Sequence, residues 1–323
     1  MNIIVFGGAG FIGSYLVDYY IKVPKVQKIV VYDNFESGKK WHLKEHINNP
    51  KLIIVEKDIY NISTYDLEYK FDLVIMLAAN PDISKAINHP SIDFDQGTVL
   101  AHKVLEFTRL NKIPRLFYAS GSGVYGDVGD FSCEENYGPL FPISTYGASK
   151  LACEALISSY AHMFGILSSS FRFGNVVGGR QTHGVAYDFI LSLRKNQKIL
   201  RILGDGTQSK PYIHIQDIIK AFEYVENNQN KIYDVYNVAP DDSVTVNEIV
   251  NIVISSMKIN SFDVIRNYSG GKRGWRGDVP VVRLNSNKIK SLGWQLNYSS
   301  FEAVKKSVEE MLININLIEM HVK

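Results

Sequence analysis

The stretch that decides the fold is NIIVFGGAGFIG, residues Asn2–Gly13. Residues 2–6 form an apolar run, which predicts a short buried strand, and residues 11–21 carry apolar side chains at helical spacing. A glycine-rich turn joins these two elements. Such a turn is typical of a phosphate-binding site, because the first amides of the helix face the anion.

Each glycine of this turn has its own physical reason. Gly7 permits a tight turn, Gly10 lets the backbone approach a pyrophosphate, and Gly13 lets the helix pack closely on the strand. Phe11 and Ile12 lie between the last two glycines, at the start of the helix. We therefore expect these five residues to contact a dinucleotide cofactor.

Asp33 ends the next predicted strand, at 28–33, and follows Gly13 by 20 residues. An acidic side chain at that place accepts hydrogen bonds from a ribose diol and repels a 2′-phosphate. The sequence therefore predicts NAD rather than NADP as the cofactor. Lys39 and Lys40 would favour a phosphate, but exposed lysines in a loop are usually only solvated.

Apolar runs and helical stretches alternate through the first half of the chain. Continuous apolar strands separated by helices predict a parallel sheet that is buried on both faces. The fold class is therefore α/β, a Rossmann-like doubly wound parallel sheet. Further strands are predicted at 51–58, 71–77, 114–120 and 168–173, and further helices at 92–110, 146–164, 246–257 and 301–312.

The texture of the sequence changes after Asn175, where glycine-rich and polar turns separate shorter elements. This change predicts a smaller C-terminal lobe. We place a cofactor-binding domain at 1–174 and the lobe at 175–323, with part of 211–239 free to return to the first domain.

Composition narrows the function classes. The 323 residues are 46% hydrophobic with a net charge of +2, so no strong field favours nucleic acid or a membrane surface. Cys133 and Cys153 match no zinc-binding spacing, which argues against a structural metal and a disulfide framework. The sequence has neither a signal-peptide pattern nor an apolar run of about 18 residues, so we expect a cytoplasmic protein.

Two more strand ends carry candidate cofactor contacts. Asp58 ends the third predicted strand, with Ile59 after it. Its carboxylate can accept a hydrogen bond from the adenine amino group or, equally well, cap a helix. Leu77, Ala78 and Ala79 follow the fourth strand, where small residues let a cofactor cross the sheet edge.

Tyr146 and Lys150 are four residues apart at the start of a predicted helix, so they share one face. A neighbouring ammonium stabilises the phenolate form of a tyrosine. Such a tyrosine can take the proton of an alcohol while hydride leaves the same carbon. The pair therefore predicts oxidoreductase chemistry beside the cofactor.

Several motifs stand in order along almost the whole chain: GGAGFIG (7–13), DN (33–34), DI (58–59), VYG (124–126), YGASK (146–150), FRFGNVVGGR (171–180), GDGTQSKPYIHIQD (204–217), RGD (276–278) and LGW (292–294). With them the chain resembles the extended short-chain dehydrogenase/reductase family, in its nucleotide-sugar branch. Within that branch it is most similar to the UDP-galactose 4-epimerases and their relatives.

The resemblance implies one tightly held NAD. Tyr146 would be the proton acceptor and donor, and Lys150 would bind the nicotinamide ribose while tuning Tyr146. On the same ground Phe173 would lie beside the nicotinamide ribose, and Asn34 would join Asp33 in the cofactor site. A homodimer, through a bundle that includes the Tyr146 helix, is also implied.

The loop YASGSGVYG, residues 118–126, bears on the type of reaction. Dehydratases and decarboxylases of this branch carry carboxylates just before VYG, whereas this chain has Ser122 and Gly123, which argues against both reactions. The branch's catalytic Ser or Thr position is Gly121 here. We favour Ser122 as the replacement hydroxyl donor, with Ser120 as the alternative, unless both only cap the strand end.

The resemblance also implies a nucleotide-sugar-binding lobe. Asn175 matches an Asn that touches substrate, and Lys210 stands where an Arg usually grips the diphosphate. A lysine lacks the bidentate fork of an arginine, so the grip differs. Arg276 matches a second diphosphate Arg, and Arg180 is a plausible extra contact.

Three functions remain open on the sequence. The first is a nucleotide-sugar 4-epimerase, in which hydride leaves C4 to NAD and returns to the other face. The second is a 4-dehydrogenase that releases the keto sugar, with NADH reoxidised by another substrate. The third, which the Tyr146–Lys150 pair disfavours, is a non-catalytic NAD-binding sensor. The sugar and the base stay open.

Overall fold

The first compact unit of the chain is built on a parallel sheet. In the computed structural model, which describes residues 1–63 and 69–315, the strand order is β11-β6-β5-β4-β1-β2-β3. The strands are β1 (Asn2–Phe6), β2 (Lys28–Asp33), β3 (Leu52–Glu56), β4 (Leu73–Met76), β5 (Arg115–Gly121), β6 (Leu167–Phe173), β7 (Asn175–Val177), β8 (Ile199–Ile202), β9 (Ser209–Lys210), β10 (Tyr212–His214), β11 (Tyr233–Val238), β12 (Val244–Thr245) and β13 (Ile265–Tyr268). The predicted Rossmann-like α/β fold is confirmed.

The helices occupy most of the intervals predicted for them. They are α1 (Phe11–Lys22), α2 (Leu100–Leu110), α3 (Thr145–Phe164), α4 (Val185–Lys195), α5 (Ile215–Asn228), α6 (Val246–Ser256), α7 (Asn287–Lys290) and α8 (Ser300–Ile313). The stretch predicted as one helix at 92–110 differs in detail, because Phe94–Val99 is a π-helical segment that leads into α2.

The chain divides into two compact units. The first contains Met1–Gly121, Thr145–Arg172 and Val225–Tyr236, and the second contains Ser122–Ser144, Phe173–Tyr224 and the chain from Asn237 onward. The two units are sets of residues that contact one another more than they contact the rest of the chain. The predicted division at residue 174 separates a cofactor-binding domain from a substrate-binding lobe, and it stays a prediction. Residues 316–323 of the predicted lobe lie outside the described residues.

The central strands are buried on both faces. Residues Ile3–Phe6 of β1 and the whole of β4 are buried, as the uninterrupted apolar runs predict for a parallel sheet. One face packs on apolar side chains of α2 and α3, including Leu105 and Ile157. Each fully buried side chain of that size contributes about 1.5–3 kcal/mol, so this layer fixes the strand ends that carry the candidate site.

The second unit contains three two-stranded sheets among its described residues, formed by β10–β7, β12–β9 and β13–β8. The helices α6 and α8 each begin at a capping box, in which Thr245 pairs with Glu248 and Ser299 pairs with Glu302. Each box satisfies backbone amides that the first turn leaves without a helical partner. These caps explain why the amphipathic helices begin where they do.

Candidate active site

In the glycine-rich turn between β1 and α1, backbone segments lie so close together that side chains would not fit. Gly7 has φ +79°, and a Cβ on it would lie 2.8 Å from Ala78 N. A Cβ on Gly13 would lie 2.5 Å from Gly7 O, so α1 can pack on the turn only with glycine there. Gly10, the N-cap of α1, donates its N–H to Gly7 O at 3.2 Å. The turn therefore fits a dinucleotide pyrophosphate at the helix N-terminus.

Asp33 is held at this turn by two backbone donors. Its Oδ2 accepts from Ala9 N and its Oδ1 from Phe35 N, both at 2.9 Å. The side chain is 6% exposed, and burial raises the pKa of its carboxyl above the usual value. Each oxygen keeps acceptor capacity for a ribose hydroxyl, because a carboxylate oxygen offers about two lone-pair sites.

Asp58 lies two residues beyond the end of β3 rather than in the strand, and it acts as a cap. Its Oδ1 accepts from Tyr60 N at 2.7 Å at the start of the short 3₁₀ helix Ile59–Asn61. Its Oδ2 accepts from Asn34 Nδ2 at 3.1 Å, which joins two of the predicted cofactor residues. Contact with the adenine stays a prediction.

The chain after β4 turns towards the end of β1. Leu77 N and Ala78 N both donate to Phe6 O, at 2.9 and 3.1 Å. Leu77, Ala78 and Ala79 are half-buried, and Ala78 borders Gly7. The small residues predicted to line the sheet edge thus lie beside the phosphate turn.

Tyr146 and Lys150 are brought together on the first turns of α3. Lys150 is 5% exposed, and its Nζ donates to Ala119 O at 2.7 Å. The same Nζ lies 5.4 Å from the ring centroid of Tyr146 and 4.9 Å from that of Tyr118. Burial raises the pKa of the Tyr118 phenol, so that phenol stays neutral. The Tyr146 side chain is more accessible, because that residue is half-buried whereas Tyr118 is buried.

A buried cluster below this pair was not predicted from the sequence. Glu154 and Arg172 are each 4% exposed and form an ion pair, with Arg172 Nη2 at 2.7 Å from Glu154 Oε2. The Ser120 hydroxyl donates to Glu154 Oε1 at 2.5 Å. Glu154 follows Lys150 by four residues, and an acid on the buried face of a helix was the signal that could have revealed it.

The loop after β5 places the two candidate serines differently. Ser120 is buried at 5% exposure, whereas Ser122 is half-buried and opens the 3₁₀ helix Ser122–Tyr125. A Cβ on Gly121 would meet no heavy atom of the described residues within 4 Å. The position of the branch's usual hydroxyl is therefore open space.

The candidate diphosphate residues of the second unit include one ion pair. Lys210 Nζ lies 2.6 Å from Asp278 Oδ1, so the lysine is already oriented by a carboxylate. Arg276 is exposed in the same loop as Asp278. Arg273 was missed by the sequence reasoning; it donates to Asp127 Oδ2 at 2.6 Å and also to Asp278 O.

The remaining predicted contacts of the second unit have structural roles as well. Asn175 begins β7 and donates its N–H to Pro211 O at 2.9 Å. Phe173 is 5% exposed and packs on Phe222, with ring centroids 6.2 Å apart. Arg180 is half-buried. Their ligand contacts stay predictions.

The parallel sheet, the glycine turn and the acidic end of β2 define a dinucleotide-binding α/β protein. The chain belongs to the NAD dependent epimerase/dehydratase family, whose model matches residues 3–239. This membership confirms the resemblance drawn from the motifs and makes NAD the cofactor.

Individual relatives agree with this family. The chain is 31% identical over 328 residues to the putative UDP-glucose 4-epimerase of Methanocaldococcus jannaschii, covering 97% of this chain and 99% of that protein. A crystal structure of a UDP-galactose 4-epimerase matches with a TM-score of 0.85 and 33% identity, covering 98% and 100% of the two chains. The UDP-glucose 4-epimerase of Thermotoga maritima, solved with UDP-glucose, matches with a TM-score of 0.85, 25% identity and the same coverage.

Membership of this family makes the chain an enzyme of the epimerase/dehydratase type. Within the part of the chain that the structure describes, no helix is both long enough and apolar enough to cross a membrane.

Proposed function

We propose that this chain is a nucleotide-sugar 4-epimerase, which oxidises the C4 hydroxyl of its substrate and reduces the ketone again on the other face. The observation that carries the proposal is the placement of Lys150 Nζ, 5.4 Å from the Tyr146 ring and anchored on Ala119 O. An ammonium fixed in that position lies beside the ring of the residue that is proposed to move the proton.

The NAD site is proposed to use the residues of the first unit. The glycine turn would hold the pyrophosphate, Asp33 the adenosine ribose, and Lys150 the nicotinamide ribose. When bound, NAD accepts a hydride from the substrate and can give it back. The fit rests on a turn at which added Cβ atoms would contact Ala78 N and Gly7 O.

Tyr146 is proposed as the group that takes the proton from the C4 hydroxyl and later returns it. It lies in the first turn of α3, four residues before Lys150. Ser122 is proposed to donate a hydrogen bond to the C4 oxygen. Its rival Ser120 already donates to the buried Glu154 carboxylate, which supports this choice.

Two neutral residues before Val124 support an epimerase over a dehydratase. Elimination of water from a 4-keto sugar needs a base for the C5 proton and an acid for the leaving hydroxyl. Ser122 and Gly123 supply no carboxylate at that place. Oxidation and reduction at C4 need only Tyr146 and a hydroxyl donor.

The substrate is proposed to be a nucleoside-diphosphate sugar. Lys210 and Arg276 would neutralise the diphosphate, with Asn175 and Arg180 as further contacts. The similarity to an epimerase that was solved with UDP-glucose supports this substrate class. The ion pair with Asp278 fixes the direction of the flexible Lys210 side chain.

Gly121 supports a second candidate, a 4-dehydrogenase that releases the keto sugar. Without a hydroxyl at that position, the ketone has one partner fewer during its re-reduction. Both candidates use Tyr146 and Lys150 and differ only in the fate of the ketone.

The deciding experiment follows the sugar. The purified protein is denatured to identify its nicotinamide, and is then incubated with UDP-, GDP- and dTDP-sugars while NMR monitors C4. Inversion at C4 without net NADH is the expected result. A keto sugar with an equal amount of NADH would establish the dehydrogenase instead, and bound NAD with no change in any sugar would establish the non-catalytic sensor.

A further inference from the structure

Asp93 is a buried carboxylate that none of the motifs includes. It is 2% exposed and lies just before the π-helical segment Phe94–Val99. Its Oδ1 accepts from Asn80 Nδ2 at 2.8 Å and its Oδ2 from Thr145 Oγ1 at 2.7 Å. Asn80 and Thr145 are far apart in the chain, so one carboxylate joins the loop after β4 to the first residue of α3.

A second set of contacts fastens α3 to Asp93 and to the π-helical segment that follows it. Ser149 Oγ donates to Asp93 O at 2.6 Å, and it lies 3.0 Å from Thr98 Oγ1. A Cβ on Gly97 would collide with Ser149 Oγ, so the π-helical segment can approach α3 only because Gly97 has no side chain. The start of α3 is thus held from two sides by one short segment.

The amide of Asn80 has a fixed direction. Its Nδ2 also donates to Asp82 O at 2.9 Å, and its Oδ1 accepts from Asp82 N at 3.0 Å. With the oxygen occupied in this way, the Nδ2 atom points to Asp93. Asn80 directly follows Leu77–Ala79, the sheet edge that borders Gly7 of the phosphate turn.

We propose that Asp93 is a positioning residue that sets the first turn of α3, and with it Tyr146, relative to the predicted cofactor edge at Leu77–Ala79. The proposal rests on the proposed function, because the phenol is the group whose placement matters. Asp93 acts through Thr145 and Asn80 and touches no reacting atom.

Thr145 gives the sharpest test, because its side chain is exposed and its replacement leaves no cavity. Thr145→Val removes the hydroxyl that binds Asp93, and Thr145→Ser keeps it. Asp95→Asn is the matched control, since Asp95 is an exposed acid in the same π-helical segment. Asp93→Asn keeps the volume of the buried side chain and removes its charge.

The expected result separates positioning from stability. Thr145→Val should lower kcat by about 10- to 100-fold, the scale of a misplaced catalytic group, with KM changed by less than about threefold. Its NAD content should match the parent. Its thermal unfolding midpoint should fall, because the buried Asp93 carboxylate loses one donor, but the protein should stay folded at the assay temperature. Thr145→Ser should keep most of the parent's rate. Asp93→Asn should change kcat by a larger factor than it changes KM, and Asp95→Asn should have the parent's kcat and KM.

Amide hydrogen exchange gives a readout that does not need turnover. The first-turn amides of α3 should exchange faster in Thr145→Val than in Thr145→Ser or Asp95→Asn. Unchanged kcat and unchanged exchange in Thr145→Val would overturn the proposal. It would also be overturned if the rate fell only in proportion to the fraction of the protein that is unfolded. Should the parent protein invert no sugar, the proposed function fails, while the exchange comparison still decides whether Asp93 orders this turn.

Discussion

At the scale of single residues, the hydroxyls of Ser120 and Ser122 are used differently. Ser120 donates to the buried carboxylate of Glu154, whereas Ser122 is half-buried at the start of a 3₁₀ turn. We therefore expect Ser122→Ala to lower kcat about 100-fold, as the loss of one donor to a developing oxyanion does. Initial rates of C4 inversion measure this effect.

Ser120→Ala is the matched comparison for that prediction. It should leave kcat within about threefold and lower the free energy of unfolding by about 1–3 kcal/mol, because the buried Glu154 loses a donor. If Ser120→Ala cost more activity than Ser122→Ala, Ser120 would be the hydroxyl donor and our assignment would be wrong.

If Asp33 binds the ribose of NAD as proposed, NAD binding should depend on pH. Burial raises the pKa of its carboxyl, so Asp33 takes up its proton at a higher pH than an ordinary aspartate. Protonation removes an acceptor for the ribose hydroxyl. NAD affinity should therefore be constant above the raised pKa and fall as the pH drops through it. Titration calorimetry at several pH values measures this dependence.

Asp33→Asn should bind NAD more weakly but with no fall over the same pH range. The free energy of unfolding of the apo protein should change with pH in the opposite direction. Because the pKa of Asp33 is raised in the folded state, proton uptake stabilises the fold, and this contribution is lost as the pH rises. An identical pH dependence in Asp33→Asn would assign the effect to another group.

Sequence reasoning at this scale succeeded where partners are close in the chain and failed where they are distant. The spacing of Tyr146 and Lys150 placed both on one helix face, as the structure has them. The partners of Lys210 and Ser120, by contrast, are Asp278 and Glu154. No local pattern predicts such pairs, because the fold alone brings them together.

At the scale of elements, the turn between β1 and α1 is tightly constrained by backbone. A Cβ on Gly13 would meet backbone at 2.5 Å, whereas a Cβ on Gly10 would lie 3.2 Å from Gly7 O. Gly10→Ala should therefore fold normally but obstruct the pyrophosphate. An overpacking cost of about 1–3 kcal/mol corresponds to roughly 10- to 100-fold weaker NAD binding.

Gly13→Ala should instead lower the thermal unfolding midpoint, because its new Cβ meets the turn itself. NAD titration and thermal unfolding of both variants separate the two effects. A Gly10→Ala protein that binds NAD as tightly as the parent would show that the pyrophosphate does not approach this turn.

The buried pair of Glu154 and Arg172 attaches α3 to β6. Glu154→Gln leaves the Arg172 guanidinium without its counter-ion, which we expect to lower the free energy of unfolding by about 3 kcal/mol. Urea unfolding measures the loss. Glu309→Gln, an exposed acid on α8, is the control and should stay within about 0.5 kcal/mol of the parent. Equal effects in the two variants would contradict this role.

At the scale of the whole molecule, the apolar runs predicted six of the seven strands of the sheet. The seventh, β11, was missed because Tyr233–Val238 is not an uninterrupted apolar run. The return of part of 211–239 to the first domain stays a prediction. Tyr212–His214 forms β10, which pairs with β7 in the second unit, whereas Val225–Tyr236 belongs to the first unit. The chain reaches β11 only after the long segment that follows β6, and the local sequence pattern does not show that this strand joins the sheet.

The assembly and the location of the protein are matters of the whole chain too. The homodimer implied by the resemblance and the cytoplasmic location expected from composition stay predictions. The sugar and the nucleotide base also stay open, because the contacts proposed for Lys210 and Arg276 are to a diphosphate rather than to a base.

The central claim is that the Tyr146 phenol, held beside the Lys150 ammonium, moves the proton of the sugar alcohol. The most direct measurement compares C4 inversion by the parent and by Tyr146→Phe, with NAD content determined in both. The account predicts that the variant keeps its NAD and its thermal unfolding midpoint but inverts C4 at least about 100-fold more slowly. A Tyr146→Phe protein that inverts C4 at the parent's rate would contradict it.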